Sequence, residues 1–294
     1  MKKLLLLLTL GLTSVSFGQF VQETFSDTRV INGHSTETLK KNVFQVRIEH
    51  RFGDAAGTNG GIQQWFGFDQ AADIRFGFEY GIMDNLMVGL GRSKGTGAPY
   101  RSLIDGFVKY RFLSQGKEGG SPVSVAFVGS STFTYMPRVN DISQVASFPD
   151  WQHRLAYNAQ LLVARKFGER LSLQIMPTYV HRNFVDMNDV NGVFAMGGAF
   201  NLRITKSFSF ITEYYHVLSG TSVRNQVDAE GNSVNGFHNS LGVAAEFATN
   251  GHTFKINFTN SRGFNETQFI PYTYSDWLEG QFRIGFSITR NFKF

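Results

Sequence analysis

The chain has 294 residues, a formal net charge of +5 and no cysteine. Missing thiols exclude disulfide frameworks, cysteine-ligated zinc or iron–sulfur sites, cysteine nucleophiles and a cysteine-anchored lipoprotein. Charged residues make up only 17%, while phenylalanine reaches 30, glycine 31 and proline just 6, which suits an all-β chain with many tight turns.

Residues 1–18 read as a signal peptide. Lys2 and Lys3 give a charged start, an apolar run covers 4–12, and Ser16 and Gly18 place small residues before a cleavage point at Gln19. That run is too short to cross a bilayer, which takes about 20 apolar residues. Removing both lysines lowers the net charge to +3 (5 − 2), too little to point to nucleic acid as a partner.

Residues 19–42 are expected to form a periplasmic or lumen-tucked N-terminal extension. Its stretch Thr28–Leu39 competes as a thirteenth strand, against which the even strand counts of bacterial barrels argue.

From residue 43 onward the pattern has period two. Phe44, Val46, Ile48 and Phe52 oppose Gln45, Arg47, Glu49 and Arg51, and the same alternation predicts strands at 43–53, 71–82, 86–94, 102–113, 122–134 and 152–166. Six more follow at 171–183, 193–204, 207–218, 236–248, 252–261 and 280–294, giving twelve. Two positions fit poorly: Pro177 removes a ladder donor and suggests a bulge, and Ile211 shares a face with Glu213. In the last strand Phe282, Ile284, Phe286, Ile288, Phe292 and Phe294 share one face, interrupted by Arg290. With Phe286, Ile288, Phe292 and Phe294 the strand resembles the C-terminal signal read by the barrel assembly machinery.

The links alternate in length. Short ones such as 83–85, 205–206 and 249–251 separate long ones such as 54–70, 135–151, 219–235 and 262–279. Short periplasmic turns alternating with long extracellular loops mark an antiparallel up-and-down transmembrane β-barrel. The expected fold is therefore all-β, a barrel of about 12 strands over 43–294 in the bacterial outer membrane, with lipid around it.

Several stretches carry a resemblance. Thr28-Arg29-Val30-Ile31-Asn32-Gly33-His34, Ile48-Glu49-His50-Arg51-Phe52-Gly53, Phe66-Gly67-Phe68-Asp69, Tyr80-Gly81-Ile82 and Gly89-Leu90-Gly91-Arg92-Ser93 resemble an uncharacterised Bacteroidetes-type outer-membrane β-barrel family. The resemblance implies fold and location. That family has no established activity or ligand, so no site carries over.

Catalytic motifs are weak. His238 and Ser240 share a strand face, but parity sends them inward, and no orienting partner for the base is legible. Glu213 and His216 are three apart, which on a strand places them on opposite faces. The stretch 91–97 lacks the Gly-Lys-Ser/Thr order of a phosphate loop, and Asp228–Asn232 lacks the spaced ligands of a calcium loop. The expectation is no enzyme, no metal and no cofactor.

Parity instead assigns a charged lumen wall: Arg47, Glu49, Arg51, Asp73, Arg75, Glu79, Asp105, Lys109, Arg111, Lys255, Arg283 and Lys293. Strands five, six and eight oppose it with mostly small or neutral groups, among them Ser130, Ala156, Asn158, Ala195 and Ala199. Inward bases outnumber inward acids. The expected function is a channel or transporter for small polar solutes, with anions favoured. The alternative is a non-transporting structural or surface-interaction barrel with a plugged lumen.

Overall fold

A computed structural model describes residues 23–70, 73–95, 100–116, 120–187, 189–218 and 236–294. The signal segment 1–18, Asp228–Asn232 and the Thr96–Gly97 end of the glycine-rich stretch lie outside the described residues.

Each strand pairs with the next in an antiparallel ladder, and the first closes on the last to give a twelve-stranded barrel. The strands are β1 (Val43–Asp54), β2 (Asp73–Met83), β3 (Leu86–Lys94), β4 (Ser102–Leu113), β5 (Ser124–Thr134) and β6 (Leu155–Phe167). The second half comprises β7 (Leu171–Arg182), β8 (Gly192–Arg203), β9 (Phe208–Val217), β10 (Ser240–Thr249), β11 (His252–Thr259) and β12 (Arg283–Lys293). Closure runs from Val43 opposite Lys293 to Asp54 opposite Arg283. Because the strand count is even, both ends of the barrel sequence lie on the short-turn, periplasmic side.

Boundaries differ from the sequence pattern mainly on the extracellular side. β6 starts at Leu155 because Trp151–Arg154 forms a 3₁₀ turn, with the Asp150 N–H donating to His153 Nδ1 at 3.1 Å. β10 and β12 likewise start late, at Ser240 and Arg283. Pro177 is not a bulge. On its β6 side the ladder lapses between Gln160–Thr178 and Val163–Ile175, yet the register is the same on both sides of the gap. Toward β8 the ladder runs unbroken through Pro177 opposite Met196. A proline costs one donor, and the lapse accommodates it without inserting a residue.

The outer face is apolar: Leu90, Val108, Ile175 and Ile256 are each more than half exposed. On a lipid-facing wall that exposure is contact with hydrocarbon, not water.

Inside, two segments fill the barrel. From the periplasmic side residues 24–39 rise as a hairpin, with Arg29 bridged to His34 and a turn at Val30–Gly33. From the extracellular side the β11–β12 loop folds inward and forms one helical turn, α1 (Glu266–Phe269), buried throughout. Both inserts present an apolar side to the wall formed by β5–β9. Val30, Ile31, Phe269 and Ile270 pack there in one buried cluster with Val128, Leu162, Met176, Val180, Val193 and Ile211. This explains Ile211. It shares the inner face with Glu213 because that face is partly a hydrophobic core.

Candidate functional site: the filled lumen

The charged wall and the hairpin are built for each other. Asp27, on the hairpin, accepts from Arg47 at 2.6 and 2.9 Å and from Lys255 Nζ at 2.8 Å. Lys109 Nζ donates to three hairpin carbonyls, those of Thr28, Ser35 and Glu37, at 2.7–3.0 Å. Glu79 accepts from Thr28 Oγ1 at 2.8 Å and from Arg47 Nε at 3.2 Å. Gln174 accepts the Thr36 N–H at 2.9 Å and donates to the His34 carbonyl at 2.8 Å.

The tip of the hairpin is held differently. Its turn points the N–H groups of Ile31, Asn32 and Gly33 at one carboxylate, Glu213, at 3.0–3.1 Å. Successive backbone donors converging on an anion form a nest, and here the anion belongs to the wall. Gly33 is required at the turn, since a Cβ there would lie 2.0 Å from Tyr215 Oη.

The second insert closes the upper lumen. Arg51 donates to the Ser261 and Gly263 carbonyls and to Asn32 Oδ1, and its guanidinium lies 4.3 Å from the Phe264 ring centroid. Asn265 Nδ2 reaches Asp105 at 3.3 Å, and the ring of Phe269 meets Tyr215 edge-on at 5.0 Å. Arg29 Nη1 then donates to the Phe264 carbonyl at 3.3 Å, so hairpin and loop touch at mid-lumen. On the wall beside them Arg75 joins Glu49 at 2.7 Å and Asp105 at 2.6 Å.

The rest of the sequence-assigned wall sits toward the ends. Arg111 lies at the periplasmic end, on Glu37 at 3.1 Å and the Asp84 carbonyl at 3.3 Å. Asp84 also docks the descending leg of the hairpin by accepting the Lys41 N–H at 2.9 Å, and that bond holds its carboxyl below the usual range. At the opposite rim Arg262 clamps Asp73 with two bonds of 2.9 and 3.0 Å. Arg283, half-buried there, reaches Ser275 Oγ at 2.9 Å. Lys293 keeps the inward parity, opposite Val43, but sits at the periplasmic rim and is exposed.

Two further expectations change. The wall opposite the charges is not merely small and neutral, because Val128, Leu162 and Val193 line it alongside Ala156 and Ala195. The bases do not face open water either, because Asp27 and Glu37 of the hairpin meet them. Strand parity did not reveal those acids, since they sit on no strand. The only sequence signal near the tip was the run Thr28–His34.

The remaining motifs separate. Ser240 is buried against Asn32 Nδ2 at 3.5 Å, while His238 is half-buried at the rim, 3.8 Å from Asp276. Glu213 faces the lumen, whereas His216 is exposed beside Tyr214 and Asn239 on the outer wall.

Two cavities open at the mouths. The extracellular one, about 430 Å³, is lined by Asp54, Asn59, Gln70, Arg262, Gln281 and Arg283 among others. The periplasmic one, about 160 Å³, lies beside Glu23, Glu37, Lys40 and Arg111.

A family model described as a membrane-bound β-barrel domain, DUF5777, matches residues 25–292. The chain belongs to that family. The match takes in the hairpin together with all twelve strands, so this member is a barrel of the bacterial outer membrane with its filling segment inside the family domain. Solved structures similar to it are outer-membrane barrels. The KdgM porin is 8% identical with a TM-score of 0.49, covering 85% of this chain and 99% of the porin. A channel from Pseudomonas putida F1 is 12% identical (TM-score 0.45, 87% and 98% covered). An outer-membrane protein of Acinetobacter baumannii is 10% identical (TM-score 0.43, 86% and 99% covered). The search of curated sequences gave no match.

Proposed function

We propose that this barrel is a gated conduit for small polar solutes, held shut by its own N-terminal hairpin. The observation that supports this reading best is how the hairpin is attached. Among the described residues its covalent link to the wall is at its periplasmic base, through Lys40–Asn42 into β1. Its polar side is held by ion pairs and hydrogen bonds that water can replace when it withdraws. A polar cavity at the extracellular mouth and a mixed polar and apolar one at the periplasmic mouth give a solute somewhere to lodge on either side of the closure.

Selectivity for anions drops out of this reading, because Arg47, Arg75 and Lys255 each have a carboxylate within 2.8 Å. The same reading takes 1–18 as the export signal and outer-membrane lipid as the surroundings of the wall. It also takes the last strand as the segment handed to the barrel assembly machinery. Phe286, Ile288 and Phe292 stand on its outer parity there, and Phe294 follows it at the rim. No enzymatic role is proposed.

Liposome swelling tests the gate. Intact protein should admit a small sugar slowly, and a variant lacking residues 23–38 should admit it much faster. One observation favours the second reading, a permanently plugged scaffold acting through its loops: the apolar packing of Ile31 and Phe269 against the far wall. A truncated barrel that folds, as shown by heat-modifiable migration, yet stays impermeable would establish that reading instead.

A further inference from the structure

We propose that the β1–β2 loop is an aromatic wedge inserted into the outer leaflet, so that lipid, not solute or protein, is its partner. Within seven residues the loop displays Ile62, Trp65, Phe66 and Phe68, exposed by 66, 59, 46 and 42%. Asp69 is the only charged residue between Ala55 and Gln70. Four large apolar groups facing water side by side are an aggregation liability, and facing a membrane interface they are an anchor.

The loop is two-sided. Asn59 and Gln70 line the extracellular cavity, whereas Ile62, Trp65, Phe66 and Phe68 are not part of its lining. On that outer side the loop is continuous with the lipid-facing wall. The Phe68 ring packs on Phe52 with centroids 4.6 Å apart, and Phe52 in turn lies 4.6 Å from His50 and 6.3 Å from Phe286. Phe52 stands at the extracellular end of the outward stripe of β1, and His50 and Phe286 continue that stripe into the wall.

The backbone is bent to produce this display. Trp65 and Phe66 both adopt left-handed conformations, with φ of 47° and 53°, which bulky side chains rarely occupy. The bend is fixed from within: the Phe66 N–H donates to the Gly61 carbonyl at 2.8 Å, and the Gly61 N–H to that of Ala55 at 2.9 Å. Strain of this kind persists where a fixed side-chain position is being enforced. Here it turns two consecutive rings toward the membrane interface, the depth at which amphipathic aromatic groups gather. The inference does not depend on the barrel conducting.

Tryptophan quenching tests it. The full chain is reconstituted into phosphatidylcholine vesicles, with lipids brominated near the carbonyl end of the chains as one quencher and aqueous acrylamide as the other. Trp151→Phe and Trp277→Phe leave Trp65 as the sole reporter. The difference between wild type and Trp65→Phe isolates the same signal if the double variant folds poorly. Brominated chains should remove most of the Trp65 emission, and acrylamide should remove little. Strong quenching by acrylamide with none by bromine would overturn the wedge and leave the loop in water as a lid. Protection from both quenchers would overturn it in favour of a second copy covering the loop.

Discussion

Arg75→Met should destabilise the barrel by roughly 3–5 kcal/mol, the cost of removing one partner from a fully buried ionic cluster. The Arg75 guanidinium has no exposure, and it bridges Glu49 at 2.7 Å and Asp105 at 2.6 Å. Methionine fills much of the volume but leaves the Glu49 and Asp105 carboxylates buried without their shared cation, Asn265 Nδ2 still reaching Asp105 at 3.3 Å. Arg111→Met is the matched comparison. Its ion pair with Glu37, at 3.1 Å, lies at the periplasmic end with 12 and 10% of the two side chains exposed, so a clearly smaller loss than for the fully buried Arg75 is expected. Guanidinium unfolding in vesicles reads both variants. Equal sensitivity would mean that the Arg75 cluster is wet, contrary to a filled lumen.

On the outer wall, Ile256→Arg should cost about 2–4 kcal/mol, whereas Phe292→Arg should cost about 0–1 kcal/mol, because the penalty for a lipid-facing charge depends on depth. Ile256 is 51% exposed on the outer parity of β11, opposite Ala245 and Phe286. Phe292 lies at the periplasmic rim beside Arg290, a natural arginine on the same parity that donates to His252 at 2.9 Å. Unfolding free energies of the two variants compare them directly. Similar costs would place the membrane band wrongly along the strands. Ser287 would be a poor water-facing control, since it is buried between Glu49 and Lys255 in the ladder.

Period-two patterning carried the wall of this protein because lipid imposes it: outward residues are mostly apolar, with exceptions such as His216 and Arg290, so the alternation survives along the strands. Link lengths carried the topology, since short periplasmic turns alternate with long extracellular loops. The lumen lacked any such constraint. Once a segment fills it, inward residues are chosen by local contact, and Val128, Leu162 and Ile211 sit on the same inner face as Glu213 and Lys255. Period two still places them inward but cannot say whether they meet water or protein. The hairpin was harder still. Thr28–Leu39 alternates weakly, has no neighbouring strand to pair with, and takes its conformation from Lys109, Gln174 and Glu213, each far away in sequence. Only the fold brings those groups together.

The central claim is that residues 24–39 sit inside the barrel and close it, and amide hydrogen exchange tests this most directly. In the intact, folded barrel the N–H groups of Ile31, Asn32 and Gly33 are committed to Glu213, that of Ser35 to the Thr28 carbonyl and that of Thr36 to Gln174. These amides should exchange nearly as slowly as the strand ladders. Glu213→Ala should speed exchange at 31–33 first, with the ladders unchanged. Exchange at the free-peptide rate across 31–36 in the intact barrel would contradict the seated hairpin.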